Sequence, residues 1–250
     1  MFKRQQAILQ LINREGRQPL DALCVRFGVS IQTIRTDIRH LADQGLLLRR
    51  HGEALPFPHR DNVSYDQRQI LNSPGKQRIA KLCREQLCDY QRLMLGTGST
   101  VARLAQLLSD LKGIQVMTNN LHATQALCDH PDCELLMAGG RVRRRDQDVI
   151  GGDALRFFQR YRADVGVVSV GAMDRDGGLY DYNDDEMMAR EALIGQCRRR
   201  ILLIDSSKFD RQASCVAGHL SDFDMVISDQ PLPGNLSASL KARQVQLLCH

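Results

Sequence analysis

Apolar positions in the first quarter of the chain recur at helical spacing and are punctuated by small residues. Ala7, Ile8, Leu11 and Ile12 predict an amphipathic helix over residues 3–14, closed by Gly16. Pro19 suits the first turn of a second helix, with Leu20, Leu23 and Phe27 on its inward face. Gly28 is placed for the left-handed residue that ends this helix, and Ser30 for a hydroxyl that caps the next. At about 100° per residue, Ile38 and Leu41 of the third helix fall within about 40° of Ile34. Gln32, Arg35, Thr36 and Arg39 project from the other side. Gly45 stops the helix, Leu46-Leu47-Leu48 starts a strand, and Arg49-Arg50-His51-Gly52 forms a basic hairpin tip. Three helices followed by such a hairpin predict a winged helix-turn-helix over residues 1–55.

The periodicity lapses in Leu55-Pro56-Phe57-Pro58-His59-Arg60-Asp61-Asn62, which predicts a linker over residues 56–73 with a short helix at 64–71. From Pro74 the pattern changes. Short apolar strands at 92–96, 114–118, 133–137, 164–170, 200–205, 224–228 and near 244–248 are interspersed with amphipathic helices at 74–88, 99–110, 120–129, 152–161 and 184–197. The fold class is therefore α/β. An N-terminal winged helix-turn-helix precedes a larger α/β domain, residues 74–250, whose mainly parallel sheet carries helices on both faces.

Charge sharpens this division. The net charge of +5 lies wholly in residues 1–60, where ten Lys and Arg face five Asp and Glu, whereas the remainder is neutral. A basic module beside a neutral body is the footprint expected of a nucleic-acid contact. No apolar run approaches the ~18–20 residues of a membrane span, and Met1-Phe2-Lys3-Arg4-Gln5-Gln6 lacks the apolar segment of a signal peptide, so a cytoplasmic location is expected. The eight cysteines show no zinc-ligand spacing, and most lie in apolar periodic segments, so reduced core thiols are expected, with no metal and no cofactor.

Two sets of residues carry candidate chemistry. On the third helix and the hairpin, Ser30, Gln32, Thr33, Arg35, Thr36, Arg39, Arg49, Arg50 and His51 can meet DNA. Arg suits guanine, Gln suits adenine, and the hairpin tip suits the backbone or minor groove. Asp37 would repel phosphate on that face and is expected to orient a neighbouring arginine instead. In the larger domain, polar loops follow successive strands, at the edge where such sheets bind ligands. These are Gly96-Thr97-Gly98-Ser99-Thr100, Thr118-Asn119-Asn120, Gly139-Gly140-Arg141, Gly171, and Asp205-Ser206-Ser207-Lys208. Hydroxyls, amides and two cations on one rim describe a site for a small phosphorylated metabolite. Arg143-Arg144-Arg145 reads as a solvated charge run, and Arg198-Arg199-Arg200 as a helix C-terminus.

Val29-Ser30, Thr33-Ile34-Arg35, Asp37, Leu41, Gly45-Leu46, Arg49 and His51-Gly52 together resemble the DNA-binding signature of DeoR-type bacterial transcriptional regulators. Thr36 stands where that family usually has a second arginine, and Glu53 where it has glycine. The segment ~76–250 resembles the family's effector domain, which is similar to ribose-5-phosphate isomerase; Gly96–Thr100 matches the isomerase phosphate loop. Val170-Gly171-Ala172-Met173-Asp174 falls where the isomerase carries Asp-Gly-Ala-Asp-Glu, so two carboxylates are missing. Isomerisation needs a carboxylate base, so the resemblance implies sensing rather than turnover. Asp174, Gly178, Glu186, Asp205 and Lys208 resemble the branch that includes the glycerol-3-phosphate regulon repressor, with Asp174 and Glu186 positioned to hold sugar hydroxyls. The resemblance implies a repressor of a carbohydrate or polyol catabolic operon. It would act as a homo-oligomer (dimer or tetramer) on double-stranded operator DNA, released by a phosphorylated sugar or polyol phosphate, without membrane contact. The alternatives are a sugar-phosphate isomerase with an appended DNA-binding domain and a winged helix that binds protein.

Overall fold

The computed structural model describes residues 3–43, 46–56, 64–211, 213–232 and 236–249. The expected stop at Gly45 and residues 57–63 of the expected linker lie outside them. The N-terminal elements are α1 (Lys3–Glu15), β1 (Gln18–Pro19), α2 (Leu20–Phe27), α3 (Ile31–Asp43), β2 (Leu47–Arg50) and β3 (Glu53–Pro56). Gly28 ends α2 in the left-handed conformation, φ 62°, as its position predicts. Ile8, Ile12, Leu23, Ile34, Ile38 and Leu47 meet in one core that draws only on this module. The hairpin β2–β3 is joined by β1 into a three-stranded antiparallel sheet, which the sequence pattern did not predict because β1 is two residues long.

The larger domain continues with α4 (Tyr65–Ile70), α5 (Ser73–Arg84), β4 (Arg92–Leu95), α6 (Ser99–Ala105), β5 (Ile114–Thr118), α7 (Leu121–Leu127) and β6 (Cys133–Met137). A small hairpin, β7 (Val142–Arg143) and β8 (Asp148–Val149), leads to α8 (Gly152–Gln159), β9 (Ala163–Ser169), β10 (Ala172–Met173) and β11 (Gly178–Asp181). The chain closes with α9 (Asp184–Gly195), β12 (Cys197–Ile204), β13 (Cys215–His219), β14 (Met225–Ser228), α10 (Leu236–Ala242) and β15 (Gln246–Cys249). Seven strands pair in parallel in the order β15-β14-β12-β9-β4-β5-β6. Side chains alternate across it: Leu93, Leu95, Val167 and Leu203 enter one core, Met94, Val168, Leu202 and Ile204 the other.

Strand order decides where a ligand can sit. From β4 the chain winds one way through β5 and β6, then returns to β9 on the opposite flank and continues outward through β12, β14 and β15. The direction reverses between β4 and β9, and the splayed loops at their C-terminal ends open a crevice there. A second sheet, β10-β11-β13, is antiparallel and stands beside that crevice.

Several sequence expectations are corrected. Arg198, Arg199 and Arg200 lie inside β12, not at a helix C-terminus, because α9 already ends at Gly195. Arg143 is not a solvated member of a charge run; its side chain is 17% exposed and engages three carboxylates. Of the cysteines Cys83 is fully buried, whereas Cys88, Cys128 and Cys249 are exposed. Among the described residues no helix is long and apolar enough to cross a membrane, and no His, Cys, Asp and Glu cluster could hold a metal ion.

Candidate functional site

α3 buries Ile34, Ile38, Leu41 and Ala42 and exposes Gln32, Arg35, Thr36 and Arg39. Asp37 is buried, accepting from Arg4 Nε at 2.5 Å and Gln5 Nε2 at 3.0 Å. Its charge is thus turned off the exposed face and pins α3 to α1; the arginine it engages comes from α1. Ser30 Oγ accepts from the Thr33 N–H at 3.2 Å, capping α3, and lies 2.9 Å from Thr33 Oγ1. Thr36 Oγ1 donates back to the Gln32 carbonyl at 3.0 Å. Ser30, Thr33 and Thr36 therefore shape the helix, while Arg35 and Arg39 stand outward without an ion pair among the described residues.

The wing repeats this. Arg49 and Arg50 are exposed on β2 and carry no ion pair among the described residues. His51 and Gly52 turn the hairpin with φ 45° and 81°, a two-residue turn that matches the strand twist. Glu53, the acid where the resemblance leads one to expect glycine, lies 3.6 Å from Arg17, which offsets its charge.

At the sheet's reversal point a cleft opens to solvent. Thr97, Gly98, Ser99 and Thr100 form one wall after β4, and Ser169, Val170 and Gly171 another after β9. Gly98 adopts φ 104°, which a side chain would resist, and a Cβ on Gly171 would lie 2.7 Å from Asp181 Oδ1. Four cations line the cleft: Arg68, Lys76, Lys208 and Arg211. Asp181 and Glu186 face them.

These charges are compensated unequally. Arg190 pairs with Asp181 and lies 3.8 Å from Glu186. Arg143 reaches Asp148 at 2.6 Å, Glu186 at 2.8 Å and Asp146 at 3.2 Å. Glu186 Oε1 also accepts from Thr97 Oγ1 at 2.9 Å. Burial pushes the Glu186 carboxyl upward, but the charges of Arg143 and Arg190 outweigh it and hold the group at about 2. In Asp148 burial wins over the Arg143 pair and lifts the carboxyl to about 6. Lys76 Nζ donates to the Arg68 carbonyl and to the Leu71 carbonyl at 2.7 Å; its burial pulls the ammonium down to about 7. Lys208 is lowered by burial too, with Asp205 opposing, and its side chain makes no hydrogen bond or ion pair among the described residues.

Two family models cover most of the chain. One, the DeoR-like helix-turn-helix domain, matches residues 4–56, and the other, the DeoR C terminal sensor domain, matches residues 71–230. The chain belongs to the DeoR family. It is similar to the glycerol-3-phosphate regulon repressor of Escherichia coli (strain K12), at 33% identity over 99% of this chain and 98% of that one. It is also similar to the transcriptional repressor CsqR of the same organism, at 29% identity over 98% and 94%. The L-fucose operon activator of Haemophilus influenzae is similar at 29% identity over 94% and 95%. Among solved structures, a ribose 5-phosphate isomerase from Methanocaldococcus jannaschii is similar over 55% of each chain, with 16% identity and a TM-score of 0.41. The chain is a transcriptional regulator with a helix-turn-helix and a sensor domain, a class of DNA-binding proteins rather than of enzymes.

Within this DeoR-family sensor domain, the expected effector residues separate into three groups. Thr97, Gly98, Ser99, Thr100, Gly171, Glu186 and Lys208 line the cleft. Gly96, Thr118, Asn119 and Asn120 support it from behind. Thr118 Oγ1 donates to the Leu95 carbonyl at 2.7 Å, and Asn120 Nδ2 to the carbonyls of Gly96 and Gly98 at 3.2 and 3.1 Å. Asn119 Nδ2 donates to the Val149 carbonyl at 2.8 Å, while its buried Oδ1 has no partner and joins Gly96, Thr97 and Glu186 around a smaller inner cavity. Gly139, Gly140 and Arg141 are exposed and do not line the cleft, since they follow β6 at the far edge of the sheet. Asp174 lies outside it too, accepting from the Gly178 N–H at 2.8 Å and the Tyr180 hydroxyl at 2.6 Å to close the β10–β11 turn. The pattern missed Arg68, Lys76, Asp181, Tyr182 and Arg211, which line the cleft from helices, strands and loops with no motif of their own.

Proposed function

We propose that this chain is a cytoplasmic repressor of a carbohydrate or polyol catabolic operon, released from its operator by a phosphorylated sugar or polyol phosphate. The observation that carries this is Lys208, a half-buried lysine whose amine makes no hydrogen bond or ion pair among the described residues and is balanced only through space by Asp205 and Asp181, facing a cleft at the sheet's reversal point. A desolvated cation with no direct partner is costly, and a phosphate dianion seated beside it lowers that cost. Thr97, Glu186 and Asn119 lie at the inner end, where hydroxyls of a short polyol find both acceptors and a donor. The relatives support the chemical class, since they include regulators of glycerol-3-phosphate and fucose genes.

At the other end, Gln32, Arg35 and Arg39 of α3 enter a major groove, with Arg49, Arg50 and His51 on the flanking backbone or minor groove. A homo-oligomer places two such modules on a pseudo-palindromic operator. Effector and operator then weaken one another equally. The test measures binding of the chain to its own promoter DNA while titrating a panel of phosphosugars and polyol phosphates, with the dephosphorylated compounds as controls. Release by one phosphorylated compound and not by its dephosphorylated form is expected. Indifference to the whole panel overturns the reading.

A further inference from the structure

Four cations line the cleft, and two of them, Arg68 on α4 and Lys76 on α5, come from outside the domain's strand-end loops. Arg68 sits on α4, the first described element after the wing strand β3. Its side chain is 13% exposed and its Nη2 lies 2.5 Å from Asp146 Oδ1, a carboxylate that is 2% exposed. The Arg68 carbonyl accepts from Lys76 Nζ and, at 3.3 Å, from Ser99 Oγ of the glycine-rich loop. Asp146 is shared with Arg143, which holds Glu186, which in turn accepts from Thr97. A closed run of alternating charges thus joins α4, the β7–β8 hairpin, α9 and the loop after β4.

We propose that Arg68 is a direct ligand of the effector's phosphate, drawn from Asp146 onto the incoming dianion, and that α4 carries this change to the wing. The inference rests on the phosphorylated-effector reading given above and adds to it a residue and a route. One turn beyond Arg68, the buried Leu71 packs on Leu48 of β2, and the next two residues of that strand are Arg49 and Arg50. The rest of α4 is held by the sensor domain. The Tyr65 ring stacks on His122 with centroids 3.8 Å apart, and the Gln69 carbonyl accepts from Arg103 Nη2 at 3.0 Å. A rotation of α4 about these anchors moves Leu71 against the strand that carries the basic tip. A ligand that binds the two arrangements of α4 unequally shifts their populations by that difference.

An ion pair with a purely structural role and one that hands its arginine to an anion respond differently to mutation. Breaking a structural pair from either side has the same sign of effect. Under the handover, Arg68→Ala removes a ligand whereas Asp146→Asn frees one. The experiment uses the full chain with sn-glycerol 3-phosphate and inorganic phosphate as probes, reading affinity by calorimetry and release from promoter DNA by anisotropy. We expect Arg68→Ala to weaken probe binding by about ten-fold or more, Arg68→Lys to restore part of it, and Asp146→Asn to tighten it several-fold. Leu71→Ala, which leaves the cleft intact, is expected to keep probe affinity within about two-fold while reducing probe-driven release. If the parent binds probe and the Arg68 and Asp146 variants move together or not at all, the inference fails and the effector reading stands. If the parent binds neither probe nor any phosphorylated compound of the panel, both fail.

Discussion

The exposed face of α3 and the wing and the surroundings of the sensor-domain cleft are both rich in arginine, yet they hold it in opposite ways. On α3 and the wing, Arg35, Arg39, Arg49 and Arg50 stand in solvent without acidic partners among the described residues. Around the cleft, Arg143 and Arg190 are nearly enclosed, and each engages at least two carboxylates. Exposed arginines keep their hydration, cost the fold little, and remain available to phosphates whose counter-ions they displace. Enclosed ones surrender hydration and must be matched locally, so they fix geometry. On the proposed reading, the first region is suited to binding and the second to staying in register until a ligand changes its balance.

The largest test of this contrast is Glu186→Ala, which strips Arg143 and Arg190 of a shared buried partner. It is expected to lower unfolding free energy by about 3–5 kcal/mol, measured by urea denaturation, because two buried cations lose compensation at once. A change of under about 1 kcal/mol would mean that the network is as solvent-relaxed as the DNA face. Arg35→Ala is expected to leave that free energy unchanged and to weaken promoter binding by about ten-fold or more, with a shallower dependence of affinity on salt. Loss of stability without loss of DNA binding would reverse the assignment of the two regions.

A smaller and signed effect concerns pH. Lys76 titrates at about 7 in the fold and near its ordinary value when unfolded. Between pH 7 and the ordinary lysine range the unfolded chain holds the extra proton, so Lys76 makes stability rise with pH across that window. Phosphate remains a dianion there, so its affinity for the cleft should fall over the same window as the ammonium charge is lost. Parallel melting and calorimetric titrations at pH 7, 8 and 9 check both signs; affinity that rises with pH would remove Lys76 from the cation set. The smallest effect is Ser30→Ala, expected to cost about 1 kcal/mol as α3 loses its cap, with Thr33 unable to take over. Promoter affinity should then fall only as far as α3 frays.

Much of the architecture is legible from spacing alone. The apolar seam of α3, the left-handed Gly28 and the capping Ser30 each follow from local chemistry and stand as expected. Alternating strands and helices likewise announce a parallel sheet. What periodicity does not contain is strand order. Gly139–Arg141 and Gly96–Thr100 look equivalent as polar loops after strands, yet β6 is an edge and β4 adjoins the reversal, so one loop lines the cleft and the other does not. The strands β10, β11 and β13, two to five residues long, are too short to register a period. Arg68 and Arg143 were illegible for a further reason. A lone arginine in a polar segment reads as solvated until the fold supplies the acid that encloses it.

Among the described residues, the core of the winged helix-turn-helix draws on nothing beyond Ala54, whereas the cleft is incomplete until Lys208 and Arg211 are in place. A polypeptide is made from its N-terminus, at ~5–20 residues per second, so the two functions mature on the order of ten seconds apart. On the proposed reading, the DNA-binding module is complete during that interval while the effector cleft is not. On that reading, a chain truncated upstream of Lys208 keeps the exposed arginines of α3 and lacks two of the four cations of the cleft.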